Sequence, residues 1–185
     1  QTLVAQSETS ATTMGNVKGI LRTVGITVVL TEVVVAIFLA LRFYIGYGHS
    51  VGSALWQGMF HSVSAFNNAG FALFSDNLMS FNQDIFIIGP ISAAIVAGGL
   101  GFPVFYELFR RWRTPSHWTV HSKVTILGYL ALLIIGCVGF AAAEWNNPDT
   151  IGPMSGWGKT INSLIGGITP RTAGFNTIDL TALSE

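Results

Sequence analysis

"AFNNAGFALF" (65–74) and "TPRTAGFNTI" (169–178) each carry Ala-Gly-Phe, and their glycines, Gly70 and Gly174, lie 104 positions apart. Each follows a stretch with helical character that is too short to cross a bilayer. Residues 51–65 read as a helix of about four turns, and 156–169 as another. At 1.5 Å per residue such a helix reaches only about 22 Å, whereas a bilayer core is about 30 Å thick. That length suits a re-entrant segment that returns to the face it came from.

Working outward, three longer runs are apolar enough to cross. Residues 23–41 are interrupted only by Glu32, while 85–105 and 124–143 carry no charge. Each is expected to be a transmembrane helix. Half of the 185 residues are hydrophobic and only 10% are Asp, Glu, Lys or Arg, where a soluble domain carries about a quarter. Zero net charge argues against a nucleic-acid partner, which needs a basic face. A single cysteine, Cys137, excludes an internal disulfide and a thiolate metal cluster. The chain begins at Gln1 with no basic–apolar–small leader, so an internal segment of a longer protein is expected.

Orientation follows from where Lys and Arg collect. Lys18 and Arg22 precede the first run, and Arg110, Arg111, Arg113 and Lys123 fill the link between the second and third. The N-terminus and 110–123 are therefore expected on the cytoplasmic side. The helices then run in-to-out, out-to-in and in-to-out, with both short helices on the outer side.

An offset of 104 also carries 20–44 onto 124–148, where the third run lies. The unit reads as helix, short re-entrant helix, extended Ala-Gly-Phe segment, helix, with the second copy lacking its last helix. Repetition of this kind points to units arranged around a shared axis.

Unpaired backbone at membrane depth is tolerated only where protein surrounds it or water reaches it. Glycine supplies positive φ and lets a carbonyl point where a side chain would clash. Rings of such carbonyls replace an ion's hydration shell in potassium channels, and the negative C-terminal end of a short helix favours a cation nearby. Phe71 and Phe175 are expected to pack behind the loops.

"FHSVSAFNNAGFALFSDNL" and "TPRTAGFNTIDL" resemble the second and third pore loops of the Ktr/Trk/HKT superfamily of potassium transporters, most closely the bacterial Ktr-type membrane subunit. "VHSKVTILGYLALL" resembles the start of that family's third repeat. The resemblance implies an all-α membrane protein of transmembrane helix–re-entrant pore helix–filter loop–transmembrane helix units, four per chain around one pore. It divides this chain into a complete repeat at 15–113, a cytoplasmic link at 114–123, and a second repeat at 124–185 without its last helix. It further implies potassium transport across the plasma membrane, in bacteria the inner membrane. The filter would be lined by Asn68, Ala69, Gly70 and Phe71 from one repeat and Thr172, Ala173, Gly174 and Phe175 from the next. Asn67, Arg171 and Asn176 would support it. No cofactor is implied beyond the transported K+, with Na+ a candidate coupling or activating ion. Implied partners are the remaining repeats of the same chain, a second pore subunit in a homodimer, a cytosolic nucleotide-binding regulatory subunit and membrane lipid.

Several residues carry two readings. Glu32, mid-helix, is either an ion-path carboxylate or, the favoured reading, a hydrogen-bonding group that fixes packing. Arg171 is expected to point behind its loop, donating to carbonyls or a carboxylate. Asn67 and Asn68 either brace their loop or face the ion. Pro90, Pro103, Gly98, Gly99 and Gly101 imply that the second run bends, either as a gating hinge or, the favoured reading, for tight packing. The competing functions are an alternating-access cation symporter, which needs inverted repeats that this chain does not display, and a sodium-conducting member of the same family. The spans offer no nucleophile–base set for an enzyme.

Overall fold

A computed structural model describes the backbone of residues 2–172 and 174–184, and the side chains of 21–105, 107–108, 111–170 and 174–184. Among these residues the chain is all helical, with no strand. Six helices follow one another: α1 (Thr2–Tyr47), α2 (Val51–Phe66), α3 (Ile85–Gly99), α4 (Phe102–Arg111), α5 (Val120–Glu144) and α6 (Gly156–Thr172). Two described helices are long and apolar enough to cross a membrane, Leu21–Tyr47 within α1 and α5.

The second apolar run departs from expectation. Residues 85–105 do not form one helix but two, with the break at Leu100 and Gly101. Gly101 sits at φ 78°, a left-handed backbone that only glycine adopts readily, and Pro103 occupies the first turn of α4, where its missing N–H costs nothing. Pro90 lies inside α3 without ending it. The 15-residue α3 is an apolar helix shorter than a span.

Polar side chains fix the helix ends. Ser50 Oγ accepts the Ser53 N–H at 3.3 Å and starts α2. Asp84 caps α3 by accepting the Phe86 N–H at 3.0 Å, and it also receives Arg42 Nε at 2.7 Å and the Tyr47 hydroxyl at 2.9 Å. One carboxylate therefore starts α3 and ties it to the end of α1. Thr119 starts α5, and Glu107 of α4 accepts its N–H at 3.0 Å and its hydroxyl at 2.8 Å, along with the Ser122 hydroxyl. The Ser122 hydroxyl is the main reason the Glu107 carboxyl is held below the usual glutamate range.

The core lies between α1, α2, α3 and α6, where Leu39, Phe43, Ile88, Ile91, Ile165 and Phe175 are buried. Each such side chain contributes about 1.5–3 kcal/mol relative to exposure. Backbones approach closely at glycines. A Cβ on Gly58 of α2 would lie 2.6 Å from the Ala36 carbonyl oxygen of α1, and one on Gly167 of α6 would lie 2.5 Å from the Cys137 nitrogen of α5. The tightest crossing is α3 on the end of α2, where a Cβ on Gly98 would meet the Phe66 carbonyl oxygen at 1.8 Å. Of the two readings of the Gly-rich run, Gly98 serves tight packing and Gly101 the bend. The outer surface of α5 is almost wholly apolar and exposed, its buried residues being Ser122 and Glu144. A face of this size is untenable in water and fits lipid or protein contact.

Gly98→Ala is expected to destabilise the fold by about 1–3 kcal/mol, because a methyl there requires a main-chain shift. Gly128→Ala in α5, where a Cβ meets nothing within 4 Å, is expected to be neutral or slightly stabilising. Thermal melting in detergent separates the two; equal melting temperatures would contradict the packing described.

Candidate functional site: two glycine loops in contact

At the end of α2 the chain turns through Asn68 at φ 53° and Gly70 at φ 73°. The Asn68 N–H donates to the Ala65 carbonyl at 3.1 Å and the Ala69 N–H to the Ser64 carbonyl at 2.8 Å, closing the helix with a left-handed cap. The face of α2 then holds the segment that follows. Ser64 Oγ donates to the Phe71 carbonyl at 2.8 Å. The Leu73 N–H donates to His61 Nε2 at 3.3 Å, and His61 Nδ1 donates to the Gln57 carbonyl at 2.7 Å. With both ring nitrogens so used, the fully buried His61 is the neutral tautomer protonated at Nδ1. Its ring stacks on Phe74 at 5.1 Å.

Asn67 looks the other way. Its Nδ2 donates to Glu32 Oε1 at 2.9 Å and to the Val63 carbonyl at 2.9 Å, while Ser62 Oγ donates to the Glu32 carbonyl at 2.6 Å. Glu32 thus joins α1 to the end of α2 by hydrogen bonds, in line with the packing reading of this carboxylate.

The second loop leaves α6 with the Gly174 N–H donating to the Thr169 carbonyl at 3.4 Å and Gly174 at φ 63°. The two loops meet. A Cβ added to Gly174 would lie 3.8 Å, an ordinary van der Waals distance, from the Gly70 Cα, so the two glycines face each other across a gap that one methyl group would fill. Two hydrogen bonds join the segments just beyond: the Asn176 N–H donates to Asn77 Oδ1 at 3.2 Å, and the Leu78 N–H donates to the Asn176 carbonyl at 2.9 Å. No described residue donates a hydrogen bond to the carbonyl of Ala69 or Gly70.

Of the residues singled out in the sequence, Asn68, Ala69, Gly70 and Phe71 lie in the first loop, and Gly174, Phe175 and Asn176 in the second. Thr172 is not in the extended segment; its backbone is the last residue of α6, which runs three residues beyond the expected end. Ala173 and the side chains of Arg171 and Thr172 lie outside the described residues. The two phenylalanines divide. Phe175 is 1% exposed and packs in the core, as expected, but Phe71 is 68% exposed among the described residues. The difference is one of neighbours: Phe175 turns toward the core cluster, whereas Phe71 extends from a segment whose carbonyl is drawn to Ser64.

Sequence reasoning missed His61, Ser64 and Asn77. His61 and Ser64 share one helix face by their i, i+3 spacing, and Asn77 lies in a Ser-Asp-Asn turn cluster, the one available signal for a left-handed asparagine.

The fold and loops define a class: an all-α protein with membrane-length apolar helices, in which two short helices deliver left-handed glycines to one place. The TrkH family profile, described as cation transport protein, matches residues 1–185. The chain belongs to that family. It is 37% identical to the Ktr system potassium uptake protein B of Vibrio alginolyticus over 84% of this chain and 34% of that protein. It is 35% identical to the protein of the same name from Bacillus subtilis (strain 168), over 99% of this chain and 40% of that one. A third relative, the potassium/sodium uptake protein NtpJ of Enterococcus hirae, is 35% identical over 85% of this chain and 34% of its own length. The chain therefore spans between a third and two fifths of these relatives, all of which are transport proteins.

Asp76, just before the Asn77 turn, accepts the Ser80 hydroxyl and, at 2.9 Å, the Ser80 N–H. The hydroxyl bond is the main cause that holds its carboxyl below the ordinary aspartate value of 3.8. A depressed carboxylate stabilises the fold above its unfolded value and loses that contribution as pH falls through the folded one. As pH is lowered past 3.8, the melting temperature is expected to fall less in Asp76→Asn than in the wild type. Parallel pH profiles would remove Asp76 from the account of loop stability.

Proposed function

We propose that this chain supplies two of the four quadrants of a potassium-conducting pore, and that the Gly70 and Gly174 loops are adjacent sides of its selectivity filter. The observation that carries the reading is the close approach of the two left-handed glycines across 104 positions of sequence. Potassium uptake in the names of the relatives supports the choice of ion. In this reading 15–113 is one helix–pore-helix–helix repeat, 114–123 a cytoplasmic link and 124–185 most of the next repeat. Ions shed water against main-chain oxygens of Asn68, Ala69, Gly70 and Phe71, and of Thr172, Ala173, Gly174 and Phe175, and move down their electrochemical gradient. The C-terminal ends of α2 and α6 add partial negative charge at the same place. Asn67, held to Glu32, and Asn176, held to Asn77, support the filter; Arg171 is assigned the same task.

The bound species is the transported K+ itself, with no cofactor. The partners are the remaining repeats of the full-length chain, a second pore subunit, a cytosolic nucleotide-binding regulatory subunit and membrane lipid around the exposed faces of α1 and α5. The word "system" in the relatives' names supports a multi-component assembly. The site of action is the plasma membrane, with the N-terminus and 110–123 cytoplasmic. A sodium-conducting variant of the same mechanism is the second reading, favoured by the potassium/sodium name of one relative.

Growth of a potassium-uptake-deficient bacterium carrying the full-length gene tests the filter. Gly70→Ser and Gly174→Ser are each expected to lower the preference for K+ over Na+ about tenfold, equivalent to about 1.4 kcal/mol of discrimination. Unchanged growth and unchanged preference in both variants would overturn the filter assignment.

A further inference from the structure

Most side-chain braces around the first loop act within its own half of the chain. His61 and Ser64 hold it to α2, and Asn67 holds the end of α2 to α1. Asn77 differs. Its side chain forms a hydrogen bond from the first glycine-bearing segment, 65–78, to the second, 169–178. Its grip has two prongs. Asn77 Oδ1 takes the N–H of Asn176, and the N–H of the next residue, Leu78, gives to the carbonyl of that same Asn176. Both main-chain groups of one residue, two positions after Gly174, are thereby fixed.

The geometry depends on the backbone at Asn77, which sits at φ 58° after a turn closed by its own N–H on the Phe74 carbonyl at 3.1 Å. Asparagine is among the few residues with a side chain that tolerate this conformation. Leu78 behind it is fully buried, and Phe175 between Gly174 and Asn176 is 1% exposed. Neither end of the bridge can drift without disturbing the core.

We propose that Asn77 is a positioning residue for ion discrimination: it sets the separation of the Gly70 and Gly174 main chains by clamping Asn176. This deepens, and rests on, the filter reading above. Discrimination in such a filter depends on the size of the cavity and the number of carbonyl dipoles that reach the ion. Releasing one loop from the other changes both without removing any lining atom.

The test uses the full-length transporter in a potassium-uptake-deficient bacterium, with rubidium and sodium uptake normalised to protein in the membrane. Asn77→Gly keeps the left-handed turn and deletes the acceptor; Asn77→Ser, too short to reach Asn176, is a second deletion. Both are expected to lower the rubidium-over-sodium ratio about fivefold, a size consistent with one lost hydrogen bond. Asn77→Asp, which keeps an oxygen in place, is expected to hold the ratio within about twofold of wild type. Gly174→Ser is the reference. An unchanged ratio in the Asn77 deletions with a lowered ratio in Gly174→Ser would overturn the positioning role and leave the filter standing. Equal loss of both ions in the deletions, or the same drop in Asn77→Asp as in Asn77→Gly, would also overturn it. An unchanged ratio in Gly174→Ser as well would remove the filter reading and this inference with it.

Discussion

Main-chain amides and carbonyls in an apolar layer must be paired, packed in protein or wetted, and this requirement organises the chain. Two short helices, α2 and α6, stop where a bilayer-spanning helix would continue, and each releases its backbone into an extended segment. Left-handed glycines turn both segments so that Gly70 and Gly174 face each other at close range. A side chain at either position would sit in a conformation that costs about 1–2 kcal/mol, where the two loops face each other. Helix length, loop conformation and the contact between the halves follow from the same constraint.

Around that contact the support is graded by distance. Nearest are the hydrogen bonds on the loops themselves, from Ser64 to the Phe71 carbonyl and from Asn77 and Leu78 to Asn176. Next come the groups that hold α2 in place, the buried His61 against Phe74 and the half-buried Glu32 on the exposed Asn67. Farther out, Asp84 ties the end of α1 to the start of α3, and Asn162 of α6, fully buried, donates to the Asn82 carbonyl at 2.8 Å, joining α6 to the turn before α3. These bonds pair polar side chains with one another and with main-chain atoms, which fixes positions more tightly than apolar packing alone.

Much of this was legible in the sequence. Residues 51–65 were readable as a short helix, and α2 ends one residue later. The end of α6 was harder: expected at Thr169, it lies at Thr172, with Pro170 inside the helix. The run 85–105 misled as a single span because uniform hydropathy reports burial and not continuity, although Gly101 and Pro103, read as marks of a bend, stand where it breaks. Identical Ala-Gly-Phe triplets placed one phenylalanine in the core and left the other exposed, because burial depends on neighbours from elsewhere in the chain. Asn77 was unreadable as a bridge for the same reason: its turn is local, but its partner lies 99 positions away.

The central claim is that main-chain oxygens of the two glycine loops face one cation. Anomalous scattering from rubidium in crystals of the full-length transporter tests it most directly. The account requires an ion peak on the axis between the Gly70 and Gly174 loops, with their carbonyls as its nearest protein atoms. A peak remote from both loops, or loops that turn their carbonyls into packed protein while an ion sits elsewhere, would contradict it.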